Sequence, residues 1–371
     1  MGAINFIIPF IALITIVVFI HEYGHYYFAK KYGVGVTDFS IGFGKEIFGF
    51  NDKSGTRWKF CLIPLGGYVK FFGDRNVFSQ AEQAELLKQY SETDQKKLFV
   101  VKPLYQRSLI VFGGPLANFL LAILIFTFIY MFAGKDFTPA KIDEVQKDSP
   151  AYVAGVQKND VIHSINNQKV NSIMEVSTFI NASTDETITF KVLRNDIEFE
   201  FLISPTLITE KDPNGNEVKR KVIGIKLVPL YNEFNKEKLG PAKAIYYAAK
   251  ETWFVTTSSL DYILSLFVGK GDTSQLGGPI KIAKITGEVA QYGFIAFLSI
   301  TAYISISLGL INLFPIPMLD GGHLMFYAFE KVLGRPLTQR TQESFFRIGL
   351  FLLFSLMFFT TFNDLRDIGL F

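Results

Sequence analysis

No charged side chain stands between Met1 and Ile20, and residues 108–134, 289–311 and 348–362 are equally bare. A helix needs about 20 apolar residues to cross the hydrocarbon core of a bilayer. The sequence therefore predicts a polytopic α-helical membrane protein with about four transmembrane helices, near 4–28, 108–133, 289–311 and 347–362. A soluble fold could bury one such segment but hardly four. The 39 phenylalanines suit lipid-facing helices, and a net charge of +3 is too small for a nucleic-acid binder. Cys61 is the one cysteine, which excludes an internal disulfide and any cysteine-based metal site.

The first basic residue, Lys30, follows the first apolar run instead of preceding it, so this run reads as a retained helix and not a cleaved signal. Lys30 and Lys31 place its end on the cytoplasmic side, and Lys96, Lys97, Lys102 and Arg107 do the same for the start of the second helix. Both termini are then expected outside, with four crossings between them.

Between the helices the composition changes. Residues 34–72 alternate β-branched, aromatic and glycine residues around the turn NDKSG, too apolar for a solvated loop, and predict a membrane-associated β-hairpin loop. Residues 138–208 carry short β-rich runs punctuated by turn signals and predict a small compact domain. The polar DPNGNEVKRK reads as the turn of a following strand pair, and residues 240–268 as an interfacial helix interrupted by Lys243, Lys250, Glu251 and Asp261. The expected divisions are 1–33, 34–106, 107–134, 138–208, 209–288, 289–322 and 323–371.

The chemistry is concentrated in His21-Glu22-Tyr23-Gly24-His25. On a helix, residues i and i+4 lie one above the other, so both histidines can aim a ring nitrogen at one metal ion. Glu22 is placed to act as general base on the water such an ion activates. A catalytic zinc normally takes three protein ligands. The candidate segment for the third is NLFPIPMLDGGH, residues 312–323, where Pro315 and Pro317 break the helix after Leu313 and two glycines allow close backbone approach. Asp320 lies there, and His323 is a rival by residue type, more naturally an exposed or capping histidine.

HEYGH on the first helix, GFG and PLGGYVKF between helices one and two, FGGPLANF opening helix two and NLFPIPMLDGGH on a later one together resemble the site-2 protease family of intramembrane zinc metalloproteases, in its bacterial regulator-of-sigma-E-protease branch. The resemblance runs over essentially the whole chain in motif order. It implies Zn2+ held by His21, His25 and Asp320, with Glu22 as the catalytic base. It further implies substrate contacts from Gly42, Phe43 and Gly44, which look like the family's membrane-reentrant β-loop, and from Asn312, Pro315 and Pro317. The implied reaction is cleavage of single-pass membrane proteins, anti-sigma factors or signal-peptide remnants, after an upstream site-1-type protease. The implied location is the bacterial inner membrane, with the active site near the cytoplasmic face.

DSPAYVAGVQKNDVIHSINNQKV is similar to the family's PDZ domains, with Asn159-Asp160 where Gly-Asp is usual, and implies one extracytoplasmic PDZ-like unit instead of two. His163 within it is expected to be structural. Asn118 is expected either to hydrogen-bond near the substrate or to pack between helices. Two other classes are open to such a chain. One is a non-catalytic membrane scaffold binding peptides through the PDZ-like domain, against which the presence of Glu22 counts. The other is a transporter with a midplane ion site, against which the lack of internal repeats counts.

Overall fold

The computed structural model describes residues 4–73, 89–211, 217–231, 233–269, 273 and 276–367. The expected turn at Asp212–Asn216 lies outside them. Among the described residues four helices are long and apolar enough to cross a membrane: Asn5–Lys31, Leu104–Phe132, Phe294–Asn312 and Arg340–Arg366. The chain divides into two compact units, residues 1–126 with 277–364, and residues 127–276 with 365–371.

The first unit begins with helix α1, Ile4–Lys31, and continues into strands β1, Val36–Asn51, and β2, Arg57–Phe71. These strands form more than a simple hairpin. Residues 38–41 pair with Gly67–Lys70 on one side and Arg57–Phe60 on the other, while Arg57–Phe60 also pair with Phe48–Asn51. The ribbon is thus folded over on itself, and its outer edges are residues 67–71 and 48–51. Gly42 and Gly44 make the corner: both have φ +87, which side-chain-bearing residues avoid, and Phe43 between them pairs with Ile63. The GFG motif thus shapes the sheet, and Phe43 has one strand partner. The hairpin tip is pinned to α1 by Asp52, which accepts from Tyr26 Oη at 2.8 Å, Trp58 Nε1 at 3.3 Å, and Ser54 and Thr56 backbone N–H. Burial works to raise the Asp52 carboxyl, but these hydrogen bonds outweigh it and hold it below the ordinary carboxylate value.

Helix α2, Leu104–Phe132, packs on α1 with backbone in contact: a Cβ on Gly24 would collide with the Gly113 carbonyl, and one on Gly113 with Gly24. The third apolar helix begins later than predicted. Residues 289–293 do not open it, because a separate helix occupies Pro279–Ala290 and Gly293, at φ +103, breaks the chain before Phe294–Asn312. The N-terminus of Pro279–Ala290 is capped from far away: Asp364, 1% exposed, accepts from the backbone N–H of Gly278, Ile280 and Lys281 at 2.8–3.0 Å. The same helix presses on α1, where a Cβ on Gly287 would strike the Phe6 backbone. After Asn312 the chain is irregular to Leu319, with Met318 at φ +96, and helix resumes at Asp320–Leu333. The last helix, Gln339–Asp367, extends well beyond the predicted 347–362, since its charged flanks continue the helical turns outside the apolar stretch.

In the second unit a six-stranded sheet holds the strands β3 (Ala140–Val145), β4 (Val161–Ile165), β5 (Ile188–Arg194), β6 (Ile197–Ile203) and, beyond a hairpin, Ile225–Pro229; the order is Ile225–Pro229, β3, β4, β5, β6, with Gln168–Lys169 beside β4. Ile225–Pro229 pairs with β3, so this domain runs past the predicted boundary at 208, and the hairpin of Thr206–Lys211 and Glu217–Val222 is an excursion from it. Its core is Ile142, Ile162, Ile165, Val176, Ile180, Ile188, Phe190, Val192 and Ile203. Asn159 has φ +73, which explains how it substitutes for glycine: asparagine tolerates the left-handed region better than other side chains. Asp160, fully buried, accepts from Arg194 Nε at 2.7 Å, from Arg194 Nη2 at 2.8 Å and from the Gln157 N–H at 2.9 Å. Asp160→Ala leaves Arg194 without its buried partner and is expected to cost about 3–5 kcal/mol. Loss of hydrogen-exchange protection in β4 and β5 of the full chain would register it; unchanged protection would count against the pair. Helix Pro241–Phe267 completes the unit, with Phe254 against Phe179 and Tyr247 against Phe137.

Candidate metal centre

α1 presents His21 and His25 one turn apart, and the helix that resumes after the irregular segment presents Asp320 in its first turn. Their ligand atoms converge: Nε2 of His21 and Nε2 of His25 are 3.2 Å apart, Asp320 Oδ2 lies 3.1 Å from the former, and Oδ1 lies 3.5 Å from the latter. All lie within 4.8 Å of one another, and the three residues are buried or half-buried. Four ligands held tetrahedrally at about 2.0–2.1 Å stand roughly 3.3–3.4 Å apart, so this spacing fits zinc. Asp320 Oδ2 also receives no aligned hydrogen-bond donor, as suits an oxygen kept for a cation. Two nitrogens, one carboxylate and room for a further ligand make the usual donor set of a catalytic site.

The backbone makes this convergence possible. A Cβ on Gly321 would strike the Leu313 and Phe314 carbonyls, and one on Gly322 the Ile316 carbonyl, so the glycines fold Asp320 back on the preceding turn. On α2, Gly114 faces the two imidazoles: its Cβ would meet His25 Nε2 and His21 Cε1. Gly114→Ala is expected to push the rings off Asp320 and weaken zinc retention by about tenfold or more. Zinc content after purification reads the effect directly, and a full complement would show that the rings can yield.

Each histidine also has a partner on its other nitrogen. His25 Nδ1 is 2.9 Å from the Ile110 carbonyl oxygen, and His21 Nδ1 is 3.2 Å from Nδ2 of Asn118. Asn118 therefore stands at the metal centre itself, fully buried. Glu22 is half-buried beside the triad, and the backbone N–H of Val69, on the free edge of β2, is directed at its carboxylate. Gly67 leaves room for this: its Cβ would press on Glu22 Cγ, Val18 and the Ser40 carbonyl. Val69, Gly67 and Ile110 escaped the sequence reading, though the paired glycines of PLGGYV were a visible signal; Gly114 was legible in FGGP as a residue that lets helix two pack close.

His323 is neither an exposed nor a capping residue. It is half-buried in the next turn after Asp320, its ring against Phe326 and Phe346. It is absent from the converging group. Asn312 and Pro315 lie in and after the end of the third apolar helix, Asn312 half-buried and Pro315 exposed, while Pro317 is buried against Gly322 and Gly349.

The sequence profile of peptidase family M50 matches residues 9–356. The chain belongs to this family. A candidate zinc metalloprotease of Mesorhizobium japonicum is 40% identical over 367 residues, covering 97% of this chain and 98% of that one. One of Agrobacterium fabrum is 39% identical over 364 residues, covering 98% and 96%. Metalloprotease MmpA of Caulobacter vibrioides is 33% identical over 391 residues, covering 100% and 98%. Among solved structures, the PDZ domain of an SdrC-like protein from Listeria monocytogenes aligns with 25% of this chain and 90% of its own at 22% identity, with a TM-score of 0.20. The M50 family, the site-2 protease family, consists of zinc-dependent proteases, and this chain is a membrane zinc metalloprotease.

Proposed function

We propose that the chain hydrolyses peptide bonds inside the membrane-spanning segments of single-pass membrane proteins, with His21, His25 and Asp320 as zinc ligands and Glu22 as base. The observation that carries this reading is the meeting of Asp320 with two histidines on a helix apolar enough to cross a membrane, next to a strand edge. Charged and polar groups are costly at such depth and are kept there for chemistry.

Zinc, when bound, supplies Lewis-acid polarisation of the scissile carbonyl and acidifies the attacking water. Glu22 takes the water's proton on a carboxylate oxygen and passes it to the leaving amide nitrogen. A peptide bond within an intact helix is shielded, so the substrate must be extended first, and residues 67–71, whose outer side pairs with no strand among the described residues, can bind it as an added strand. The edge carries Val69, so docking sets the substrate backbone beside Glu22. Exposed Phe43, Ile47, Phe48, Leu62 and Ile63 give the sheet an apolar surface suited to lipid.

In this reading Asn312, Pro315 and Pro317 border the substrate. The second unit acts as a PDZ-like domain: its terminal strand Ile225–Pro229 has one edge on β3, leaving the other for a substrate's trimmed end. The substrates are anti-sigma factors or signal-peptide remnants, delivered by an upstream protease. The enzyme lies in a bacterial inner membrane with termini and PDZ-like domain outside.

The test is cleavage of a single-span substrate lacking its bulky outer domain by the purified, detergent-solubilised chain. Cleavage that a zinc chelator stops and zinc restores is expected. Persistent cleavage in chelator would remove the metal from the mechanism, and a chain that neither binds zinc nor cleaves would remove the function.

A further inference from the structure

One buried amide has a task that helix packing does not account for. Asn118 is fully buried on α2, and its Oδ1 has no hydrogen-bond partner. A bare buried oxygen of this kind is costly and calls for a donor. The nearest ring nitrogen is Nδ1 of His21, 3.2 Å from Nδ2 of the same amide.

An imidazole nitrogen of a neutral histidine either carries the proton or accepts one. With the proton on Nε2, Nδ1 accepts from Nδ2, but Nε2–H then points at Asp320 and the lone pair a metal requires is gone. With the proton on Nδ1, a half-turn of the amide exchanges Oδ1 and Nδ2 within the same volume. Nδ1–H then donates to Oδ1, Nδ2 takes the place the oxygen leaves, and Nε2 turns a lone pair toward the meeting point with His25 and Asp320.

His25 already has this arrangement. Its Nδ1 faces the Ile110 carbonyl oxygen at 2.9 Å, a group that can only accept, so the proton is on Nδ1 and Nε2 is free. Ile110 and Asn118 are eight residues apart on α2, close to two turns, so one face of that helix serves both rings. The Asn118 backbone is held separately: Ser305 Oγ donates to its carbonyl at 2.9 Å, which leaves the side-chain amide to the histidine.

We propose that Asn118 is the positioning residue of His21. Its side-chain carbonyl fixes the Nδ1–H tautomer, so that α2 prepares both histidines for the metal, one through a backbone carbonyl and one through a side chain. The inference rests on His21, His25 and Asp320 being the zinc ligands.

The test is zinc affinity of the full-length purified chain, by competition with a chromophoric chelator, together with nitrogen-15 spectra of the four histidine rings in the zinc-loaded wild type. Asn118→Leu keeps the bulk and loses the acceptor, and its zinc affinity is expected to fall 10- to 100-fold, the usual loss when a ligand's outer partner is removed. Asn118→Asp keeps an acceptor and should stay within about threefold of wild type, as should Ser305→Ala, which alters only the packing contact. The spectra should show His21 protonated at Nδ1, a result that needs no variant to fold. Wild-type affinity in Asn118→Leu, equal losses in Asn118→Asp and Asn118→Leu, or a bare Nδ1 in the spectra would each overturn the proposal while leaving the zinc site standing. A wild type that binds no zinc would overturn the ligand assignment, and this inference with it.

Discussion

Glu22→Gln is expected to lower peptide hydrolysis by about 10²- to 10⁴-fold, the usual contribution of a general base, while zinc affinity stays within about threefold. The separation follows from geometry. Glu22 stands outside the converging group of His21, His25 and Asp320, so its charge is not needed to hold an ion. Glutamine keeps the length of the side chain and an oxygen for the Val69 N–H, and loses only the ability to take a proton. The comparison is of single-turnover rates on one extended substrate, with zinc measured on the same preparations. Wild-type turnover in Glu22→Gln would move the base elsewhere, and loss of zinc would bring Glu22 into the ligand set.

Asp320→Ala is expected to have the opposite signature. It removes the one anionic donor of the group and leaves two neutral nitrogens 3.2 Å apart. Partners outside the ligand set already change metal affinity by 10- to 100-fold, so a missing ligand is expected to cost more than about a hundredfold. Activity should vanish with the metal and return only in part at high zinc. Asp320→Asn, which keeps the shape and an oxygen, should fall between. The decisive measurement is chelator competition before any activity assay, since full zinc affinity in Asp320→Ala would mean that the nearby His323, or a residue brought in by rearrangement, is the third ligand.

Much of this centre could be read in the sequence because its information is local. HEYGH needs only helical periodicity to bring two rings together, and the break at Pro315 and Pro317 needs only proline chemistry to leave Asp320 at the start of a new helix. What escaped was non-local. The folding over of β1 and β2 depends on pairings between residues 38–41 and two separate parts of β2, and nothing within either strand announces a second partner. For the same reason the edge that residues 67–71 form beside Glu22 could not be read from PLGGYVKF alone. Ile225–Pro229 was assigned outside the domain because its sheet partner lies some 80 residues earlier. His323 was misjudged because its environment is made by Phe346, on another helix. Asn118 was expected near the substrate or packed between helices, and its place against His21 depends on how α1 and α2 pack.

The cap that Asp364 places on Pro279–Ala290 has a consequence for how the protein is born. Translation makes the HEYGH helix before Asp320, and Asp320 before Asp364. The helix that braces α1 therefore has its own terminus secured only when Gln339–Asp367 has emerged. A half-made chain in the insertion machinery carries the base and two ligands without the third or the brace. The metal centre and its brace are therefore completed only by segments made long after the helix that carries the base.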